Sequence, residues 1–68
     1  MKLRVFYDRE NSEKTVELSG NSTVDDLLEK MGINPEIVLV SRKKEIILKD
    51  EKLNDKDEIM LISVISGG

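Results

Sequence analysis

The stretch Ser22-Thr23-Val24-Asp25-Asp26-Leu27-Leu28-Glu29-Lys30-Met31-Gly32 decides the fold. Val24, Leu27, Leu28 and Met31 fall at i, i+3, i+4 and i+7, which sets them on a single stripe of a helix. Ser22 or Thr23 supplies an N-cap hydroxyl, and Asp25 or Asp26 three residues later completes a capping box with Asp in place of the usual Glu or Gln. Those carboxylates also stand in the first turn, where the helix dipole favours negative charge. Gly32 offers a left-handed stop, and Pro35 prevents continuation. The spacing predicts one helix over about residues 23 to 31.

Outward from the helix, every other ordered segment reads as strand. Lys2-Leu3-Arg4-Val5-Phe6-Tyr7-Asp8 alternates with period two, so Leu3, Val5 and Tyr7 share one face and Lys2, Arg4, Phe6 and Asp8 the other. The polar run Arg9-Glu10-Asn11-Ser12 turns the chain. Lys14-Thr15-Val16-Glu17-Leu18 then returns as the antiparallel partner, with Val16 and Leu18 towards the core. After the helix, the β-branched run Glu36-Ile37-Val38-Leu39-Val40-Ser41 reads as a third strand, and Glu45-Ile46-Ile47-Leu48 as a short edge strand. Leu53 is a lone apolar anchor in the polar connection from Lys49 to Glu58. The run Ile59 to Ile65 is too long for an ordinary edge strand.

One helix can cover only one face of such a sheet, which gives a two-layer α+β sandwich with a mixed sheet of four to five strands. The connection through the helix must cross that one face. The long last strand then lies most economically in the middle, parallel to the first. The expected core is Leu3, Val5, Val16, Leu18, Val24, Leu27, Leu28, Leu39, Leu53, Ile59 and Leu61.

Sixty-eight residues make one domain, near the small end of what folds without help. With neither Cys nor His, the chain has no disulfide, no Cys/His zinc site and no catalytic Cys or His of its own. The longest wholly apolar runs are four residues, so neither a secretory signal nor a membrane span is expected, and a cytoplasmic location is. Fourteen acidic side chains against 11 basic ones disfavour a nucleic-acid binder. Arg42-Lys43-Lys44 is the one basic cluster, and without aromatic neighbours it reads as a solvated turn. Asp55, Asp57 and Glu58 lack the glycine and terminal glutamate of a calcium loop, so no metal site is expected there.

The chain closes on Ser66-Gly67-Gly68. Lacking Cβ atoms, Gly67 and Gly68 make a slim peptide able to enter a narrow active site, with an unhindered carboxylate at its end. Residues 1–65 are expected to form the domain and 66–68 a flexible tail. A carboxylate is a poor acyl donor until it is activated, for example as an acyl-adenylate. The feature points to a protein that is itself a substrate rather than an enzyme.

The order hairpin, helix, strand, short strand, strand and Gly-Gly resembles the ubiquitin-like β-grasp fold. Within it the chain is similar to the prokaryotic sulfur carriers of thiamine and molybdopterin synthesis and to the small archaeal ubiquitin-like modifiers. The resemblance spans essentially the whole chain. It rests on Ser22-Thr23-Val24-Asp25-Asp26-Leu27-Leu28, on Leu53-Asn54-Asp55-Lys56-Asp57-Glu58-Ile59 and on Ser66-Gly67-Gly68. One departure is the tight turn before the last strand, where the family commonly has Gly and this chain has Lys56. If the turn needs a positive φ, Lys56 carries a strain of about 1 kcal/mol.

The resemblance implies that an adenylyltransferase related to ubiquitin-activating enzymes threads the tail towards ATP and Mg²⁺, cofactors of the partner and not of this domain. The Gly68 carboxylate would become an acyl-adenylate. A sulfur donor would then make a thiocarboxylate for a sulfur-accepting synthase, in cofactor biosynthesis or tRNA thiolation. Alternatively, a partner Cys would carry the chain to lysines of target proteins. A plain docking domain without terminal chemistry is the remaining alternative. If Ile59 and Leu61 face the helix, then Met60, Ile62 and Val64 lie with Phe6 on the uncovered face, and an exposed apolar patch of that kind suits docking. The partner-binding residues expected are Phe6, Met60, Ile62, Val64 and Ser66, and the free protein is expected to be a monomer.

Overall fold

The structure, a computed structural model, describes residues 1–64. Strand β1 (Lys2–Tyr7) pairs antiparallel with β2 (Ser12–Glu17), and the helix α1 (Val24–Met31) follows. A 3-10 turn (Pro35–Ile37) leads into β3 (Val38–Arg42), then β4 (Glu45–Ile47) and β5 (Glu58–Ser63). The five strands form one sheet in the order β2-β1-β5-β3-β4. Strand β5 is central, parallel to β1 and antiparallel to β3, as its unbroken apolar character requires. One helix on one face of a five-stranded mixed sheet is the β-grasp arrangement.

The helix ends follow from the local chemistry. Of the two possible caps the chain uses Thr23: its Oγ1 accepts from Asp26 N at 3.4 Å, and Asp26 Oδ2 accepts from Thr23 N at 2.9 Å. The next two amide groups are satisfied from outside the helix, Val24 N by Glu51 O (3.0 Å) and Asp25 N by Lys49 O (2.9 Å). Gly32 terminates the helix at φ 72°, and Ile33 N closes back on Leu28 O at 2.9 Å. The stripe Val24, Leu27 and Leu28 is fully buried, and Met31 is half-buried at its end.

The core lies between α1 and the inward face of the sheet: Leu3, Val5 and Tyr7 from β1, Val38 and Val40 from β3, Ile59 and Leu61 from β5, and Leu53 from the connection. Several expectations need correction. Leu39 is not in the core but 42% exposed on the opposite face, and Val38 and Val40 take the inward positions. The cause is the entry to β3: Asn34 Oδ1 accepts from Glu36 N at 2.9 Å, and Pro35 starts a 3-10 turn where a strand was expected. That turn sets the pleat, and with period two a shift of one residue exchanges the faces. Val16 and Leu18 pack against the core but remain half-buried, because β2 is an edge strand beyond the helix's cover.

Arg42 is likewise not part of a solvated turn. It faces inward beside Ile59, its side chain only 19% exposed. Its Nη1 donates to Lys52 O and Asp57 Oδ2, each at 3.2 Å, and Nη2 to Glu51 Oε2 at 2.9 Å. One guanidinium thereby ties β3 to the middle and to the end of the connection that leads into β5.

Candidate functional site

The uncovered face of the sheet gathers side chains from four strands. The register places Phe6 of β1 opposite Met60 of β5, Met60 opposite Ser41 of β3, and Ser41 opposite Ile46 of β4. One step along, Leu39 stands opposite Ile62. Val64 is two residues past Ile62 and 47% exposed; Leu48, two past Ile46, is 73% exposed. Met60 and Ile46 are 44% and 57% exposed, whereas Phe6 and Ile62 are half-buried by their neighbours. All the exposed large apolar side chains named among the described residues fall on this face or at its margin. An apolar surface of this kind is costly to leave in water, and exposed apolar patches on soluble proteins are often docking surfaces.

The structure thus brings together four of the residues expected from the sequence: Phe6, Met60, Ile62 and Val64. Ser66, Gly67 and Gly68 lie outside the described residues. Three contributors were missed. Leu39 had been assigned to the core, and Ile46 and Leu48 were seen as strand without a face. For Leu39 no alternation was legible, because Ile37 to Val40 is apolar throughout and the 3-10 turn sets the phase.

The exit of β5 is held at two points. Ser63 N donates to Asp8 Oδ1 and Val64 N to Ile37 O, each at 2.9 Å. Val64, the last described residue, is thereby held at the edge of the apolar face.

At the other end of β5 the same face deepens into a groove of about 490 Å³. Its floor is Phe6, Met60 and the buried Ser41, and its rim carries Arg4, Lys43, Lys44 and Lys56. Arg4 is occupied: Nε donates to Glu13 at 2.6 Å and Nη1 to Glu58 at 2.9 Å. The Glu13 hydrogen bond, then the two carboxylate charges, hold its proton more tightly than usual. Being exposed, these pairs contribute little to stability and mainly fix the side chains.

The acidic residues of the turn before β5 point apart. Asp55 Oδ1 accepts from Lys2 N at 2.8 Å, Asp57 Oδ2 accepts from Asn54 N at 2.8 Å and from Arg42, and Glu58 is bound to Arg4. Among the described residues no group of three acidic, His or Cys side chains could hold a metal ion. No helix there is long and apolar enough to cross a membrane.

The sequence profile of the ThiS family matches residues 3–68. Over 55 residues the chain is 36% identical to the sulfur carrier protein TtuB of Thermus thermophilus, which covers 81% of this chain and 85% of TtuB. The crystal structure of SAMP1 from Haloferax volcanii superposes with a TM-score of 0.76 at 20% identity, over 100% of both chains. Ubiquitin of Caldiarchaeum subterraneum does so with a TM-score of 0.73 at 20% identity, covering 100% of this chain and 98% of its own. At such identity the two superpositions speak for the ubiquitin-like fold alone.

Proposed function

This chain belongs to the ThiS family of ubiquitin-like sulfur carriers, and from that premise we propose that it carries sulfur on the carboxyl group of Gly68. The observation that carries the reading is the family match itself, which runs through Gly67 and Gly68 and so includes the residues on which the chemistry depends. An adenylyltransferase docks on the apolar face of Phe6, Met60 and Ile62, and the tail beyond Val64 reaches its ATP site. The Gly68 carboxylate oxygen attacks the α-phosphate of ATP, and pyrophosphate leaves with its Mg²⁺. The terminal sulfur of a donor's persulfide then attacks the acyl carbon and AMP departs, leaving an acyl disulfide; a thiol attacks the donor sulfur of that disulfide, so that a new disulfide forms and the thiocarboxylate leaves. The sulfur passes on to an acceptor in cofactor biosynthesis or tRNA thiolation. In this scheme the chain supplies no catalytic group. Positioning by the partner supplies much of the rate. The scheme places the chain in the cytoplasm, beside its ATP-using partner.

Intact mass after incubation with ATP, the host's adenylyltransferase and a sulfur source tests this. Sulfur in place of one oxygen at the C-terminus is the expected product. Slower-migrating conjugates in lysate, with no thiocarboxylate, would instead establish a protein modifier acting on target lysines.

A further inference from the structure

We infer that the groove at the Lys56 end of the sheet binds an extended acidic segment of the partner protein, one that seats an aliphatic side chain on Phe6 and Met60 and brings its carboxylates to Lys43, Lys44 and Lys56. This inference rests on the reading of the uncovered face as the docking surface, and names the chemistry of what docks there.

Backbone strain is the first observation. Four non-glycine residues among those described have positive φ: Asn11 at 48°, Lys43 at 53°, Lys44 at 68° and Lys56 at 67°. Asn tolerates that region, but Lys does not do so without a cost that Gly or Asn would avoid. All three lysines line the same groove. Lys43 and Lys44 make the two-residue turn between β3 and β4, where an Asn-Gly pair is the unstrained choice. Strain of this kind persists where a side chain has another use.

Charge is the second. The protein as a whole is acidic, with a net charge of −3. The groove inverts this: four cations line it against three carboxylates. Glu13 and Glu58 are already on Arg4, and Asp57 is on Arg42. Lys43, Lys44 and Lys56 are exposed and enter no ion pair among the described residues. Three cations without partners beside an apolar floor complement an amphipathic acidic strand. A phosphodiester backbone suits the site less well, since the floor of Phe6 and Met60 is chiefly apolar and suits an aliphatic side chain.

The test uses the full-length chain and a short fluorescein-labelled peptide of alternating glutamate and leucine, with glutamine replacing glutamate as control. Fluorescence anisotropy should show binding of the glutamate peptide that weakens as salt is raised, and at least about tenfold weaker binding of the glutamine peptide. The triple variant Lys43→Asn, Lys44→Gly, Lys56→Asn removes the charges and relieves the backbone together. It should unfold at a higher temperature than wild type yet bind the glutamate peptide at least about tenfold more weakly. A stabilised variant with unchanged peptide affinity overturns the inference, as does bulk tRNA that binds the wild type more tightly than the peptide. If the triple variant fails in this way while Ile62→Asp still weakens binding to the adenylyltransferase by at least about tenfold, the docking face stands and only the acidic occupant is lost.

Discussion

Single residues separate chemistry from stability in this protein. Gly67 and Gly68 bring no side chain to bury, so their substitution should act on activation and not on folding. Removing Gly68 draws the carboxylate back by up to about 3.6 Å, beyond the reach of the α-phosphate. Gly67→Val keeps the length but crowds and stiffens the passage. ATP–pyrophosphate exchange with the cognate adenylyltransferase should be lost in both, with the melting temperature unchanged; exchange at the wild-type rate in the truncated chain would end the sulfur-carrier mechanism proposed above. Asp55 is the reverse case. The amide N–H of Lys2 on its carboxylate lowers its pKa below the ordinary value. Since the folded pKa is the lower one, the charged form stabilises the fold above the usual carboxylate range, and that contribution fades as pH falls through about 4 and below. Asp55→Asn keeps an acceptor oxygen but has no proton to exchange. The gap between the urea midpoints of wild type and variant should therefore narrow as pH falls from about 6 towards about 3. A constant gap at both would remove Asp55 from the acid response.

Among the elements, the helix was legible in full. Its stripe, cap, acidic first turn and glycine stop all lie within eleven consecutive positions, and local geometry alone relates them. Leu28, wholly buried, should cost about 2–5 kcal/mol on replacement by Ala, a large share of the 5–15 kcal/mol typical of a whole domain. Thr23→Ala should cost about 1 kcal/mol, since it leaves Asp26 N without its acceptor. Strand β3 was legible as a strand but not in phase. Four consecutive apolar residues, Ile37 to Val40, present no alternation to read, and the face was settled by the Asn34-Pro35 turn upstream. Chemical denaturation of two variants checks the corrected phase. Val40→Ala should lose about 2 kcal/mol and Leu39→Ala less than about 0.5 kcal/mol. The opposite ranking would put Leu39 back in the core.

For the whole molecule, the consequence of having one helix is a sheet with one apolar face left uncovered. Ile62 sits in the middle of that face, opposite Leu39. Ile62→Asp should weaken the complex with the adenylyltransferase by at least about tenfold, as loss of a buried interface contact does, with a native circular dichroism spectrum. Unchanged affinity by calorimetric titration would exclude the face from docking. The sequence by itself determined the helix, the order of the strands around it, the central place of β5 and the family, because each depends on periodicity, caps or residues adjacent in the chain; it left the strand count at four or five and missed the 3-10 turn at Pro35–Ile37. The turn at Lys56 was left open by the sequence, and the structure settles it with a φ of 67°. Only the tertiary structure decided that Arg42 is an internal tie, that Leu39, Ile46 and Leu48 enlarge the apolar face, and that three strained lysines surround one groove. Those facts join residues on β1, β3, β4 and the turn before β5, and no pattern along the chain encodes a distance across a sheet. Strand register, which pleating and hydrogen bonding settle only when all five strands are in place, supplies it.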